Sequence, residues 1–397
     1  MTKRLAMVLG LMALAGVLVA ASAQAGHKTH KVTNLTFAGW SSGPDEDALD
    51  QQMANKFNAT HKGIHVTWTV INGSYPQAMT ARFAAHNAPD VFYVDSGVIG
   101  AWIKQGVIAP LNGLVKSTHF NTKPFYPKLL AAFKKGKKIY GFPKDWSPLA
   151  MEINKGMLGA AHATVPKNWA QLRAAAQKIQ SSGVLPSGAK PICLSADWAR
   201  MLPFVFQNGA SLATITSPAA AAAVNFYVGL IKSGLADTPD KLGSGWCGEA
   251  LGKQKAAIIF EGNWLLPFMQ STYPGIQYGV FPMVSQKTGG NLAFTVSYSI
   301  AKSSSHKQAA WTLLSWLTSQ QGQKLWVSKG LALPSRSDVK AIGGRKNFLI
   351  AAKYAHGWGF NNFANAYTIM NNDLSAVITG SKTVQQMLSD TAAAIKG

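Results

Sequence analysis

From Val32 to Trp40 apolar and polar positions alternate, the two-residue period of a strand. Pro44-Asp45-Glu46-Asp47 then marks a helix start, with acids where they complement the helix dipole, and Leu49, Met53 and Phe57 recur at helical spacing behind it. Ile64–Val70 predicts a second strand, Tyr75–His86 a helix, and Pro89–Asp95 a third, more buried strand. Strand alternating with helix in this way predicts a doubly wound α/β unit.

The pattern repeats with other lengths. Lys138–Phe142 and Leu149–Asn154 are strand-like, and Trp169–Ser181 predicts a helix with Leu172, Ala176 and Ile179 on one face. Pro218–Ser233 predicts another helix, and Ala256–Phe260 a buried strand leading into Glu261-Gly262-Asn263-Trp264 and a further helix. Tyr278–Pro282 and Phe294–Ile300 read as strands, then His306–Thr318, Gln321–Lys329 and Thr383–Ile395 as helices. With no short-period repeat and no low-complexity linker, two α/β lobes joined by several crossovers are expected.

The first residues follow another logic. Lys3 and Arg4, an apolar run from Leu5 to Val19, and Ala23-Gln24-Ala25 have the three parts of a signal peptide over residues 1–25. No cysteine lies near the cleavage site, so a lipoprotein anchor is not expected and the mature chain should be exported and soluble. Its two cysteines, Cys193 and Cys247, form either one bridge, as an oxidising compartment permits, or two buried thiols. Neither has the neighbours a metal site needs.

Charge narrows the chemistry. Lys and Arg total 38 against 16 Asp and Glu, for a formal charge of +22, yet charged residues are only 14% of the 397. The basicity therefore reflects missing acids, and a nucleic-acid partner is not expected, since such binders cluster their bases and carry recognisable motifs. The densest run, Lys134-Lys135-Gly136-Lys137-Lys138, reads as a solvated turn or an anionic-surface contact. No nucleophile elbow, zinc helix, phosphate loop or dinucleotide fingerprint is present, so neither cofactor nor metal is expected. Asp145 with Glu261 is the best carboxylate pair a glycoside hydrolase could use.

The positive signal is aromatic. Of twelve tryptophans, Trp102, Trp311, Trp316 and Trp326 fall in apolar helical patterns and read as core, as does Trp68 within its strand. Trp40, Trp146, Trp198, Trp246, Trp264 and Trp358 stand where elements end in Gly, Ser, Asn or Asp. Ligands of open α/β sheets collect beyond the carboxyl ends of strands, and flat rings beside hydrogen-bonding groups suit sugars.

The chain resembles family 1 extracellular solute-binding proteins of ABC transporters, the family of maltose and glycerol-phosphate binding proteins. The stretches that carry it are Leu35 to Trp40, Ala88-Pro89-Asp90-Val91 through Asp95, Gly106 to Asn112, and Lys138 to Pro143. Val165-Pro166-Lys167-Asn168-Trp169, Ala256 through Trp264, Trp311 to Leu317 and Gly330 to Arg336 continue it in order across nearly the whole mature chain. The resemblance implies a two-lobed periplasmic-binding-protein fold of type II, with residues 26–145 and 298–335 in one lobe and 146–297 and 336–397 in the other. It places hinge crossings near Lys144–Leu149, Thr295–Ser299 and Pro334–Val339.

By the same resemblance the cleft would use Trp40, Ser41 and Ser42 after the first strand, Asp95 after the third, and Asp145 with Trp146 at the first crossing. Trp198, Trp264, Tyr298 and Trp358 complete the expected set, with Trp146, Trp198, Trp264 and Trp358 stacking and Asp95 and Asp145 recognising hydroxyls. Two stretches depart from the family pattern: Glu152-Ile153-Asn154 where many members carry Tyr-Asn, and Ser297-Tyr298-Ser299 where many carry a glycine pair. The implied role is the non-catalytic, monomeric binding component of an importer, working in the periplasm and passing a sugar or polyol to permease subunits. The alternatives are an anionic ligand such as a sugar or glycerol phosphate, and an extracellular glycoside hydrolase.

Overall fold

The computed structural model describes residues 32–396 except 42, 331, 342, 344, 352, 353 and 359–362; the expected signal peptide and Ser42 lie outside the described residues. The strands are β1 Thr33–Gly39, β2 Ile64–Val70, β3 Val91–Asp95, β4 Lys134–Lys135, β5 Lys138–Ile139, β6 Phe142–Asn154 and β7 Lys190–Cys193. They continue as β8 Ala236–Asp237, β9 Ala256–Gly262, β10 Tyr278–Phe281, β11 Asn291–Ile300, β12 Leu333–Pro334 and β13 Ala355–His356.

One sheet runs in the order β2-β1-β3-β11-β6-β9-β7-β8. At one end β1, β2 and β3 are parallel, and at the other β7, β8 and β9 are parallel. Between them β11 and β6 pair antiparallel with each other and with both ends. The fold is therefore two α/β lobes whose sheets meet through strands that cross from one to the other. β12 adds a third crossing where Leu333 and Pro334 pair with Trp146 and Asp145.

Each lobe buries its own core. In the first, the Pro44–Thr60 helix sets Leu49, Met53 and Phe57 against β1 to β3, joined by Trp311 and Trp326 from later helices. In the second, the helices Trp169–Ser181, Trp198–Gln207 and Pro218–Lys232 cover β7 and β9. Val339 packs in the first core, four residues beyond residue 335.

The two strands expected around residue 145 differ from what is found. Lys138–Ile139 forms a short hairpin with β4, and residues 142–154 form one unbroken, fully buried strand. Pro143 and Pro148 argue for interruption because each removes a backbone donor. Both are nevertheless held in register, opposite Ser297 and Ala293 of β11.

Candidate functional site

A cavity of about 540 Å³ opens between the lobes where the crossing strands meet the ends of β1, β3 and β9. Its floor is set by strand alternation, since successive side chains on a strand face opposite ways. Phe294 and Val296 of β11 border the cavity, and Ser147 and Asp145 of β6 lie opposite them in register. Ala293 and Thr295 face the reverse side, where a second cavity of about 720 Å³ lies behind the hinge.

On the first wall, Lys144 is the irregular residue at a register shift in the β6–β11 ladder, where Val296 pairs with Asp145 and Ser297 with Pro143. Its ammonium reaches Asp145 Oδ2 at 2.6 Å and Glu46 Oε1 at 3.1 Å, and lies 3.7 Å from the centre of the Trp326 ring. Trp326 Nε1 donates to the same Asp145 oxygen at 2.9 Å. Burial pulls the Lys144 pKa down, but Asp145, Glu46 and Asp50 outweigh it and hold the group above the ordinary lysine value. Asp95 accepts from Gly97 N–H at 2.7 Å, and burial pushes its pKa up to about 6 against that bond. Trp40 stands beside it, edge-on to Tyr75 and Tyr93.

On the second wall, Asp197 caps the Trp198–Gln207 helix by accepting from Ala199 N–H at 2.7 Å. Arg200 lies one turn in and bridges Asp197 and Glu261, each at 2.9 Å. Burial opposes the guanidinium charge, and Glu261 and Asp197 more than restore it, so its pKa is raised. Trp264 Nε1 donates to Glu261 at 3.1 Å, and its ring meets Phe294 edge-on at 5.2 Å. Beneath them Glu152 accepts from Glu261 N–H at 3.0 Å; burial first, and Glu261 second, push its carboxyl well above the usual range.

Trp246 and Phe268 complete this wall, their rings 4.8 Å apart. Cys247, next in the chain, is bonded to Cys193 at the end of β7, with Cα atoms 5.5 Å apart. Gly248 and Gly262 lie under the Trp246 and Trp264 rings respectively, where an added Cβ would collide with the indole. Both rings thus fold back over their own backbone only because those residues lack side chains.

The expected residues divide. Trp40, Asp95, Asp145, Trp146 and Trp264 border the cavity, while Ser41 is exposed nearby and donates to Asp47 at 2.7 Å. Trp146, however, pairs with Thr295 and turns its ring to the rear, among Leu129, Ala293 and Leu333, with Nε1 donating to Pro334 O at 3.0 Å. Stacking on a ligand in the cleft is not open to that ring as it stands. Trp198 and Tyr298 are corrections of the same kind: both are 0% exposed. Trp198 starts its helix facing the second core, which turns Arg200, about 200° further round, toward the cleft. Tyr298 lies on the cleft face of β11, but two residues beyond Val296 that face is covered by Phe37 and Tyr93. Trp358 is buried in the second core, edge-on to Tyr367.

Sequence reasoning passed over Glu46, Lys144, Arg200, Phe268 and Phe294, and left Trp246 among the undecided tryptophans. Lys144 and Arg200 had a usable signal, each standing within three residues of a carboxylate at an element boundary. Both carboxylates of the Asp145–Glu261 pair already have side-chain partners. Asp145 is engaged by Lys144 and Trp326, and Glu261, 1% exposed, by Arg200 and Trp264. Among the described residues no cluster of His, Cys, Asp and Glu could hold a metal, and no helix is long and apolar enough to cross a membrane.

The fold matches solved structures over nearly its whole length. An ABC substrate-binding protein from Listeria monocytogenes in complex with cycloalternan superposes with a TM-score of 0.83 at 18% identity, over 92% of this chain and 98% of that one. UgpB from Mycobacterium tuberculosis in complex with glycerophosphocholine gives 0.80 at 17% identity, over 90% and 97%. In sequence, the sn-glycerol-3-phosphate-binding periplasmic protein UgpB of Agrobacterium fabrum is 29% identical over 210 residues, 49% of this chain and 47% of that protein. The chain spans about half the length of the curated relatives it matches. Residues 40–324 match the profile described as bacterial extracellular solute-binding protein, and the chain belongs to that family.

Proposed function

We propose that this chain is the substrate-binding component of an ABC importer, capturing a neutral carbohydrate between its lobes and delivering it to permease subunits without chemical change. The observation that carries this is the neutralised cleft. Each of its two cations is matched by two carboxylates, Lys144 by Asp145 and Glu46, Arg200 by Asp197 and Glu261, and Asp95 adds a further acid. A phosphate entering there meets more acids than bases. A sugar meets hydroxyl acceptors beside Trp40, Trp246, Trp264 and Phe268, the pairing of flat apolar face and polar rim that carbohydrates need.

The ligand is longer than one sugar. The same two helices that present Glu46 and Phe268 to the cleft, Pro44–Thr60 and Leu265–Thr272, also wall a further cavity of about 680 Å³ with Asp45, Gln52, Gln270 and Ser271, into which further sugar units would extend. Residues 26–145 and 298–335, with those near 339, move as one lobe, and 146–297 with the rest of 336–397 as the other. Export through the leader, residence in a periplasm and action as a monomer complete the reading.

The second reading is a glycerol phosphate or its ester, favoured by the names of the curated relatives and by the exposed part of Arg200. Calorimetric titration of refolded, ligand-stripped protein separates the two. Neutral di- and trisaccharides should bind more tightly than monosaccharides, with phosphate esters silent. Binding confined to glycerol phosphates or glycerophosphocholine would overturn the carbohydrate reading.

A further inference from the structure

From residue 96 to residue 144, between the two cleft aspartates Asp95 and Asp145, the chain carries nine lysines and no arginine, aspartate or glutamate. Lys144 is spent inside the cleft wall. The others are exposed, and none forms an ion pair among the described residues. A solvated turn accounts for one or two such lysines, not for a whole segment emptied of acids.

The pieces of this segment are stitched together. The Pro127–Ala132 helix, bearing Lys128, runs straight into the β4–β5 hairpin, whose Lys134, Lys135, Lys137 and Lys138 flank Gly136. Asn112 ties the helix bearing Lys116 to that hairpin, donating from Nδ2 to Lys137 O and accepting at Oδ1 from Ile139 N–H, both at 2.9 Å. Like charges held this close repel one another and gain when an anionic partner arrives.

The residue choice says what kind of partner. Lysine is a mobile point charge, whereas arginine's planar fork is what bidentate recognition of a single phosphate or carboxylate uses. No large hydrophobic side chain of this segment is exposed, so the apolar anchor expected at the centre of a protein–protein interface is missing. Diffuse positive charge without an anchor suits an extended anionic surface. We propose that the lysine face of the first lobe, centred on the β4–β5 hairpin, docks the protein on anionic phospholipid headgroups at the membrane. This goes beyond the import reading and stands whatever ligand the cleft takes.

The test is sedimentation with vesicles of phosphatidylcholine alone or mixed with phosphatidylglycerol. The wild-type protein should partition onto the mixed vesicles only, and raising salt should release it as the Debye length shrinks. The variant K134Q/K135Q/K137Q/K138Q should bind at least about tenfold more weakly, since each lysine near such a surface contributes additively. A second variant, K56Q/K62Q/K241Q/K302Q, lowers net charge equally at exposed sites elsewhere and should keep most of the binding. Unchanged thermal unfolding of both variants confirms their fold. Equal losses in the two variants, or no partition of wild-type protein onto anionic vesicles, would overturn the proposal. So would binding to soluble polyglutamate but not to vesicles, which would point to an acidic protein.

Discussion

On the first wall of the cleft Lys144 is 2% exposed and closes its ion pairs with Asp145 and Glu46 under the Trp326 ring. On the second wall Arg200 is 21% exposed and bridges Asp197 and Glu261, with Nε left unpartnered among the described residues. The difference separates two uses of a cation. Lys144 is enclosed by groups of its own lobe, with Asp50 buried close enough to raise its pKa further, and so holds the wall together. Arg200 keeps part of its guanidinium at the cavity beside Trp264 and Phe294, where a ligand can meet it.

Replacing each cation by methionine breaks or sharpens this contrast. Lys144→Met leaves Glu46, Asp145 and Asp50 without their cation, and removing one partner of a buried pair costs about 3–5 kcal/mol. Urea unfolding should show that loss, with the midpoint moving and the slope unchanged. Arg200→Met should also cost stability, since Asp197 keeps Ala199 N–H and Tyr367 but Glu261, 1% exposed, keeps only Trp264 Nε1 as a side-chain donor. Unlike Lys144→Met, it should in addition weaken ligand directly. An Arg200→Met protein that binds ligand like wild type would erase the distinction between the walls.

The walls also differ in how they are fastened. A disulfide closing 54 residues of sequence is worth about 2–4 kcal/mol, and here it ends beside Trp246 on the second wall. The Cys193→Ser/Cys247→Ser protein should lose that stability in urea titration. Its ligand affinity should also fall, while the first wall, which has no covalent tie, keeps its geometry.

How much of this was legible follows the same division. The first lobe announces itself, because β1 and β2 alternate, β3 is a short continuous apolar run and the Pro44–Thr60 helix repeats at helical spacing, and expected and observed ends agree within a few residues. Of the tryptophans at element ends, Trp40, Trp246 and Trp264 turn rings to the interlobe cavity while Trp198 and Trp358 are buried in the second core, a division the pattern alone does not make. Trp146, Trp198 and Tyr298 sit near the cavity in sequence, yet their facing depends on strand register, helix phase and what covers the strand, none of which one chain's pattern reveals. Lys144 and Arg200 were overlooked because their roles depend on carboxylates 98 and 61 residues away.

Trp264 and its glycine test the aromatic side of the second wall. Trp264→Ala should weaken sugar binding by about 2 kcal/mol, roughly 30-fold in Kd, as for a central ring at an interface. Gly262→Ala should reproduce part of that loss by calorimetric titration, because the new Cβ displaces the indole without removing it. A Gly262→Ala protein that binds like wild type would mean the ring position is immaterial.

The smallest expected effect belongs to Asp95, and it isolates the first wall's response to pH. Burial holds this carboxyl at about 6, above the roughly 4 of an unfolded chain, so between those values the folded protein binds more protons than the unfolded one. Asp95 therefore contributes stability that is fully present below pH 4 and is lost as pH rises through 6. Ligand affinity should run the other way, since the charged carboxylate is the stronger acceptor for sugar hydroxyls and is protonated as pH falls through 6. Opposite slopes of unfolding free energy and of affinity between pH 4 and 7 are the expected signature, at most about tenfold in Kd per unit. Asp95→Asn should flatten both. Lys144, held above the ordinary lysine value, stays charged throughout that window. A pH-dependent affinity that survives in Asp95→Asn would therefore move the titrating group off the first wall's visible acid and point to Glu152 beneath the second, whose carboxyl burial pushes well above the usual range.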